Sequence, residues 1–164
     1  SLCGRYPDLY PVNFNCPGQI SVSGLTTQMS SFFEDVKAAG GRALPLKVKG
    51  AFHSPFMKAA ADDFLNDLKQ AAILPGKIPL YSDLTAEIYT EDIPGLLSAQ
   101  ISSPVQWEKL IGNMIAAGVG TFVEIGPGRT LTNMIRKICN SVRALTAAEF
   151  LAETENRETV SAET

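Results

Sequence analysis

Residues 50–55 read Gly-Ala-Phe-His-Ser-Pro and contain His53, the only histidine among the 164 residues of the chain. This segment lies where a strand pattern gives way to a helix pattern, so the imidazole ring is expected outside the hydrogen bonding of the helix. Imidazole titrates nearer neutral pH than other side chains, which suits a general base. Position alone leaves a second interpretation open, in which a single histidine fills a turn.

The residues after His53 predict a helix that begins near Pro55 and ends near Gln70. Its apolar residues recur at spacings of three and four, so they share one face. They are Met57, Ala60, Ala61, Phe64, Leu65 and Leu68. The neighbouring pair Asp62-Asp63 lies mostly away from that face and is interpreted as solvated rather than as an acid/base pair.

Two short β-prone runs precede this region, at residues 10–16 and 18–24. Pro17-Gly18 is a turn signal between them. The two runs therefore predict a hairpin.

A helix is predicted after the hairpin, with Thr26 or Thr27 as its cap and Gly40-Gly41 as its end. Alternating apolar residues at 43–48 then predict a third strand. A strand pair, a helix and a third strand match the later part of a split β-α-β-β-α-β sheet. We therefore expect a truncated small subdomain over residues 1–49.

The middle of the chain carries weaker signals. Residues 78–81 predict a short strand. Residues 82–103 are interpreted as a polar connection that contains a short helix over 94–100.

The C-terminal part of the chain predicts a β-turn-α unit. Apolar spacing over residues 107–115 predicts a helix, and residues 121–125 predict a short strand. Gly126-Pro127-Gly128 forms a turn before another helix, over about 131–138, and residues 142–146 suggest one more strand. The turn is interpreted as structural, with phosphate binding by its backbone N–H groups as the alternative.

Composition excludes several classes of protein. With 45% hydrophobic residues, 19% charged residues and a net charge of −3, the chain fits a globular domain. No apolar run approaches the roughly 20 residues that span a bilayer, and no secretory signal begins the sequence, so we expect a cytoplasmic protein without a membrane partner. Basic residues are scattered, which argues against nucleic acid as a partner.

The cysteines and serines set limits on the chemistry. Cys3, Cys16 and Cys139 are odd in number and lack a CxxC pair, so they predict reduced thiols. No metal-ligand set or cofactor motif occurs in the sequence. The G-x-S-x-G elbow that presents a nucleophilic serine is also absent from the chain. If His53 is a base, its nucleophile lies elsewhere.

Four motifs, in order and spacing, carry a resemblance to a known family. They are Asn13–Gln19 (Asn-Phe-Asn-Cys-Pro-Gly-Gln), Gly50–Met57, Gln100 followed by Ser103–Trp107, and Phe122–Gly128. Over residues 1 to about 147 the sequence resembles the C-terminal half of malonyl-CoA:acyl carrier protein transacylases. The resemblance implies an α/β-hydrolase-like acyltransferase core with an inserted, here truncated, ferredoxin-like subdomain.

The implied domain division follows from that resemblance. Residues 1–49 would be the truncated ferredoxin-like subdomain, and residues 50–147 the C-terminal part of the α/β core. Residues 148–164 are polar and acidic without periodicity, so we expect a disordered tail.

The resemblance also implies a reaction. In that family a serine takes malonate from malonyl-CoA as an ester and passes it to the phosphopantetheine thiol of acyl carrier protein. By motif, His53 is the base and the backbone carbonyl of Gln100 orients its ring. Asn15 and Gln19 resemble residues that line the substrate pocket, and Phe52 limits the size of the acyl group.

The serine, the arginine that binds the malonyl carboxylate and part of the oxyanion hole would lie upstream, in a missing half of the same enzyme. We therefore expect the isolated chain to be inactive and poorly folded or self-associated. Two alternatives stay open: the acyltransferase domain of a polyketide synthase, and a non-catalytic module that binds a carrier protein.

Overall fold

The structure is a computed structural model that describes residues 2–74 and 76–162, with side chains described up to residue 155. The chain divides into two compact units. The first unit comprises the residues before Cys16 together with Gln19–Leu110, and the second comprises Cys16–Gly18 and the residues from Ile111 onward. No helix within the described ranges is both long enough and apolar enough to span a membrane.

The first unit begins with a 3₁₀ turn at Leu2–Arg5, followed by strands β1, Leu9–Cys16, and β2, Gln19–Gly24. The two strands pair in a sheet of their own, which confirms the predicted strand pair. Gly18 has a φ of 76° in the turn between them, a conformation that glycine adopts without a Cβ penalty.

Helix α1, Thr26–Ala38, packs on this strand pair. Cys3, Leu9 and Phe32 form the buried centre of the small core. The ring of Tyr6 meets Phe32 edge to face, with the ring centroids 5.6 Å apart. The side chains around this centre come from the first turn, the hairpin and α1: Leu2, Tyr6, Val22, Met29, Phe33 and Val36.

Two predictions about this part of the chain were wrong. The residue before the first turn of α1 is Leu25, and no side chain caps the helix, so neither Thr26 nor Thr27 has the predicted role. Residues 43–48 form no strand, and Leu44, Leu46 and Val48 are 59–69% exposed. Alternation defines the two faces of a strand, but a strand also needs a neighbour for its backbone groups, and the structure gives this segment none within the described residues.

Gly24 is the position where an added side chain is expected to cost the most. Its φ is +150°, and a Cβ there would lie 1.8 Å from the backbone oxygen of Asp8. We expect Gly24→Ala to lower the free energy of unfolding by at least about 2 kcal/mol, because strain and backbone overlap combine.

The matched control is Gly40→Ala. Gly40 also has a positive φ, +79°, but a Cβ added there would meet nothing within 4 Å, so only the left-handed strain of roughly 1–2 kcal/mol applies. Urea unfolding of both variants measures the difference. Equal losses would show that the Asp8 carbonyl moves aside freely.

Beyond α1, two helices pack together beside the His53 segment. A 3₁₀ turn at Pro55–Met57 leads into α2, Lys58–Gln70, and α3, Ile93–Ala99, leads into a second 3₁₀ turn at Gln100–Ser102. Both helices agree with the predicted ones. The strand expected at 78–81 is reduced to a single bridge between Tyr81 and Ile88.

The helix predicted over 107–115 is α4, Trp107–Ala116, which runs from the first unit into the second. In the second unit, β3, Thr121–Glu124, and β4, Arg143–Thr146, pair in parallel, with Thr121 opposite Arg143. Helix α5, Thr130–Ile138, connects them, as parallel neighbours require. The predicted β-turn-α unit is thereby confirmed and extended to β-α-β.

Glu124 fixes the start of α5. Its carboxylate accepts the backbone N–H groups of Thr132, at 2.8 Å, and Leu131, at 3.2 Å, and also the Thr132 hydroxyl. These hydrogen bonds, led by that of the Thr132 N–H, lower the pKa of Glu124. The turn before α5 is therefore held by a carboxylate of the chain itself, which supports its structural interpretation.

The tail predicted to be disordered differs in the structure: Ala147–Ala162 form helix α6. Thr146 and Glu149 make a capping box, in which the Thr146 N–H donates to the Glu149 carboxylate at 2.8 Å. In return the Glu149 N–H donates to the Thr146 hydroxyl at 3.2 Å. The Thr-x-x-Glu spacing is visible in the sequence, but the residues that follow it lack the apolar periodicity from which the other helices were predicted. Residues 163–164 of the predicted tail lie outside the described residues.

Candidate active site

His53 lies in an unusual backbone conformation between Gly50 and the 3₁₀ turn that precedes α2. Its φ is 59°, in the left-handed region that costs a residue with a Cβ of order 1–3 kcal/mol. The surrounding structure holds it there: the His53 N–H donates to the Ile101 carbonyl at 3.2 Å. The next residue, Ser54, is fully buried and donates its hydroxyl to the Ala51 carbonyl at 2.5 Å.

The imidazole ring is held by a second hydrogen bond. His53 Nδ1 lies 2.9 Å from the backbone oxygen of Gln100. A carbonyl oxygen only accepts, so Nδ1 carries the proton of the neutral ring and Nε2 keeps its lone pair. The half-buried ring is thus fixed in the tautomer that presents an acceptor nitrogen.

Gln100 is itself held in place from two directions. The Tyr89 hydroxyl donates to its side-chain oxygen at 3.1 Å. Helix α3, which ends just before Gln100, is tied to α2 by the buried hydroxyl of Ser98, which donates to the Ala61 carbonyl at 2.7 Å. Because α2 follows the histidine and α3 precedes Gln100, this tie holds the two partners of the ring bond together.

The three other predicted site residues lie on or beside the hairpin. Asn15, near the end of β1, donates from its amide to the Ser21 hydroxyl at 3.2 Å. Ser23, two residues along β2, donates to the Phe52 carbonyl at 3.1 Å. Side chains two apart share a face of a strand, so the structure brings the Asn15 amide and the backbone carbonyl of Phe52 to one face of β2. Gln19 is exposed at the first residue of β2.

Tyr89, which hydrogen-bonds Gln100, and Asp83 were not singled out by the sequence. Both lie in a segment interpreted only as a polar connection. One carboxylate oxygen of Asp83, Oδ1, is buried without a hydrogen-bond partner among the described residues. Burial raises the pKa of the Asp83 carboxyl, and the positive charge that His53 can take opposes that rise.

This arrangement can accept a proton, but the serine that follows it in the described part of the chain is not placed as its nucleophile. The Ser54 hydroxyl follows the histidine in sequence, but it is buried and donates to Ala51. What the site provides is an oriented acceptor nitrogen and an exposed aromatic ring, Phe52, at 46% exposure. A base of this kind needs a hydroxyl or thiol brought to it.

Residues 2–162 match the family of the acyl transferase domain. The chain belongs to the acyl transferase domain family. The resemblance inferred from the four motifs is thereby confirmed at the level of the family, and the mixed α/β fold described above is that of an acyltransferase.

Relatives of this acyl transferase domain include a malonyl CoA-acyl carrier protein transacylase of Bacillus subtilis. The two sequences are 39% identical over 140 residues, and the match covers 84% of this chain and 44% of the relative. The solved malonyl CoA-acyl carrier protein transacylase of Clostridium perfringens superposes with a TM-score of 0.86 at 33% identity, covering 98% of this chain and 53% of that one.

A third relative is a malonyl-transacylase solved in complex with its type II polyketide synthase acyl-carrier protein. It superposes with a TM-score of 0.86 at 32% identity, and the match covers 94% of this chain and 53% of that one. The chain therefore spans about half the length of the relatives that it matches.

Proposed function

We propose that this chain forms the base-bearing part of a malonyl-CoA:acyl carrier protein transacylase of fatty acid biosynthesis. The observation that carries the proposal is the His53–Gln100 hydrogen bond, which fixes the ring tautomer in a member of the acyl transferase family. In this proposal the partners are malonyl-CoA, acyl carrier protein and the half of the enzyme that bears the serine. The protein acts in the cytoplasm.

The proposed reaction has two halves. In the first, His53 Nε2 takes the proton of the serine hydroxyl while the serine oxygen attacks the malonyl thioester carbon. The carbon–sulfur bond then breaks, and coenzyme A leaves as a thiol with the proton held by His53. In the second half the phosphopantetheine thiol gives its proton to His53 and attacks the ester. Serine recovers that proton, so the enzyme is restored.

The finer architecture belongs to the same proposal. The β1–β2 pair and α1 would be part of a ferredoxin-like subdomain within residues 1–49, and the β3-α5-β4 unit part of an α/β-hydrolase-like core within residues 50–147. Asn15 and Gln19 would line the substrate pocket beside Phe52. Their common position on or next to the hairpin supports this assignment.

The test is reconstitution of transfer. This chain is mixed with, or fused to, the part of the Bacillus subtilis relative outside the matched region, which by the family resemblance carries the serine; we call that part the complementing half. Malonyl transfer to holo acyl carrier protein is then followed by intact mass, with acetyl-CoA as the competing donor. Transfer of malonate supports the proposal, whereas a folded complex that transfers neither group would contradict it.

The acyltransferase of a polyketide synthase is the second candidate. The solved relative bound to a polyketide carrier protein favours keeping it. The same reconstituted protein distinguishes the two when offered both kinds of carrier protein, because the fatty-acid enzyme is expected to prefer the fatty-acid carrier. A non-catalytic module would bind a carrier protein and transfer nothing.

Phe52 leads to a prediction about selectivity. Its ring lies against Gly50, with ring atoms 3.0–3.1 Å from where a Cβ of that residue would be, and Phe52 directly precedes His53 in the chain. We expect Phe52→Ser in the reconstituted protein to raise the methylmalonyl-to-malonyl ratio of kcat/KM. One methyl group in a pocket is worth about 1–3 kcal/mol, or roughly 5- to 150-fold.

The matched control for this variant is Phe56→Ser. Phe56 is 48% exposed, close to Phe52 in exposure and in sequence, but its ring packs edge to face on Tyr10 with centroids 5.9 Å apart. An unchanged ratio in both variants would show that Phe52 packs without selecting the acyl group.

A further inference from the structure

The peptide unit that joins Phe52 to His53 is held from both sides. Its carbonyl oxygen accepts the Ser23 hydroxyl at 3.1 Å, and its N–H donates to the Ile101 carbonyl at 3.2 Å. Because a peptide unit is planar, a hydrogen bond at each side restricts the rotation of the whole plane. Strand β2 and the 3₁₀ turn after α3 therefore both contact the backbone directly before the histidine ring.

The rotation of this peptide matters because His53 is strained. Its φ is 59°, in the left-handed region that crowds a residue with a Cβ. Turning the peptide over would change φ of His53 together with ψ of Phe52 and would relieve that strain. The strain of one such residue is of the same order as the stabilisation from two ordinary hydrogen bonds. Two bonds can therefore hold the peptide where one alone would leave a turned-over form populated.

The two groups that hold the peptide belong to one hydrogen-bonded frame. Val105, which follows the 3₁₀ turn, donates its N–H to the Val12 carbonyl at 2.9 Å. Its own carbonyl accepts the Phe14 N–H at 2.9 Å. These bonds tie the segment after the turn to β1, and β1 pairs with β2, which carries Ser23. The hairpin thus fixes where Ser23 lies relative to the turn.

The Ser23 hydroxyl lies on the face of β2 away from the small core. The neighbouring Val22 packs against that core, and successive side chains of a strand point to opposite faces. On the other side of the same peptide, the ring of Phe52 lies against Gly50. Phe52 is therefore held at its carbonyl by Ser23 and at its ring by Gly50.

We propose that Ser23 is a positioning residue that keeps the Phe52–His53 peptide from turning over. Through this one peptide it sets the direction of the base and the place of the ring that limits the size of the acyl group. Without the hydroxyl, a fraction of the molecules would have the peptide turned over and both side chains displaced. The effect on transfer rests on the proposed function, but the hold on the peptide does not.

Because the chain has one histidine, this peptide can be observed by itself. Phenylalanine labelled with ¹³C at the carbonyl and histidine labelled with ¹⁵N at the amide give one correlated NMR signal, that of the Phe52–His53 peptide. Hydrogen exchange of this amide is measured in the chain alone and with the unlabelled complementing half. In Ser23→Ala the exchange is expected to be about two- to tenfold faster, the equivalent of one hydrogen bond.

Two further variants separate the hydroxyl from a general loss of stability. Ser23→Thr keeps a hydroxyl on the same strand and should restore slow exchange. Ser30→Ala, which changes an exposed serine of α1, is the matched control and should leave the exchange unchanged. Equal exchange rates in Ser23→Ala and Ser30→Ala would overturn the proposal.

The selectivity of transfer is a readout that a merely structural hydroxyl would not move. In the reconstituted protein Ser23→Ala should lower kcat/KM for malonyl-CoA about two- to fivefold and raise the methylmalonyl-to-malonyl ratio by a similar factor. In a Phe52→Ser background the same change should leave the ratio where it is, because the ring on which Ser23 acts is gone.

The outcomes of the two measurements are distinguishable. Faster amide exchange in Ser23→Ala, with transfer rate and ratio both unchanged, would contradict the positioning role. Faster exchange in a reconstituted protein that transfers nothing even without the substitution would contradict the proposed function and leave the hold on the peptide standing.

Discussion

Replacement of His53 by alanine in the reconstituted protein is expected to slow malonyl transfer by about 10²- to 10⁴-fold, the usual contribution of a general base. The physical reason is the fixed tautomer: the Gln100 carbonyl occupies Nδ1, so Nε2 is the acceptor available to the serine hydroxyl. Serine acylation by malonyl-CoA is expected to slow most, which stopped-time intact mass measures directly.

Chemical rescue separates this role from a structural one. His53 is a half-buried ring in a left-handed backbone conformation, so alanine could also relax the turn. Added imidazole is expected to restore part of the rate in His53→Ala, because a small base can enter the vacated space. Circular dichroism checks the fold. A rate that stays low with imidazole, together with a lowered unfolding midpoint, would return His53 to the interpretation of a histidine that fills a turn.

The second large effect concerns the chain by itself. Without a nucleophilic serine, we expect transfer by the chain alone to be at background, on the order of 10⁴-fold or more below the reconstituted protein. The exposed apolar side chains predict how the chain behaves alone in solution: Leu74, Ile78 and Ile125 are 80–83% exposed. Each large apolar side chain left in water forgoes roughly 1.5–3 kcal/mol.

We therefore expect the chain alone to self-associate and to bind a dye that reports exposed apolar surface, and the complementing half to reduce both. Light scattering and dye fluorescence, with and without that half, are the measurements. The control is an unrelated soluble domain of similar size. If the chain alone is a monodisperse monomer, and neither its scattering nor its dye binding changes when the complementing half is added, these side chains are tolerated in water.

Local patterns predicted the elements whose partners are close in sequence. The hairpin needed only two β-prone runs and Pro17-Gly18, and the β3-α5-β4 unit needed short strands on either side of one helix. The alternation at 43–48 failed because no neighbouring segment pairs with it in the described structure. The first residue of α6 was set by a capping box that an apolar-periodicity criterion does not detect.

The site was predictable only in part, for a different reason. His53 stood out because it is the sole histidine, and its partner was inferred from a family resemblance. A backbone carbonyl such as that of Gln100 has no residue-type signature, since every residue carries one. Tyr89 acts through a hydrogen bond to the side chain of Gln100, eleven residues further along the chain. No spacing rule connects such residues in one sequence.

The most direct test of the account is to locate the malonyl ester after brief exposure of the reconstituted protein to malonyl-CoA. The two parts are separated and each is weighed intact. The account predicts one malonyl group on the serine of the complementing half, none on this chain, and a strongly slowed appearance of that ester when this chain carries His53→Ala. An ester on this chain, or an ester that forms equally fast with His53→Ala, would contradict it.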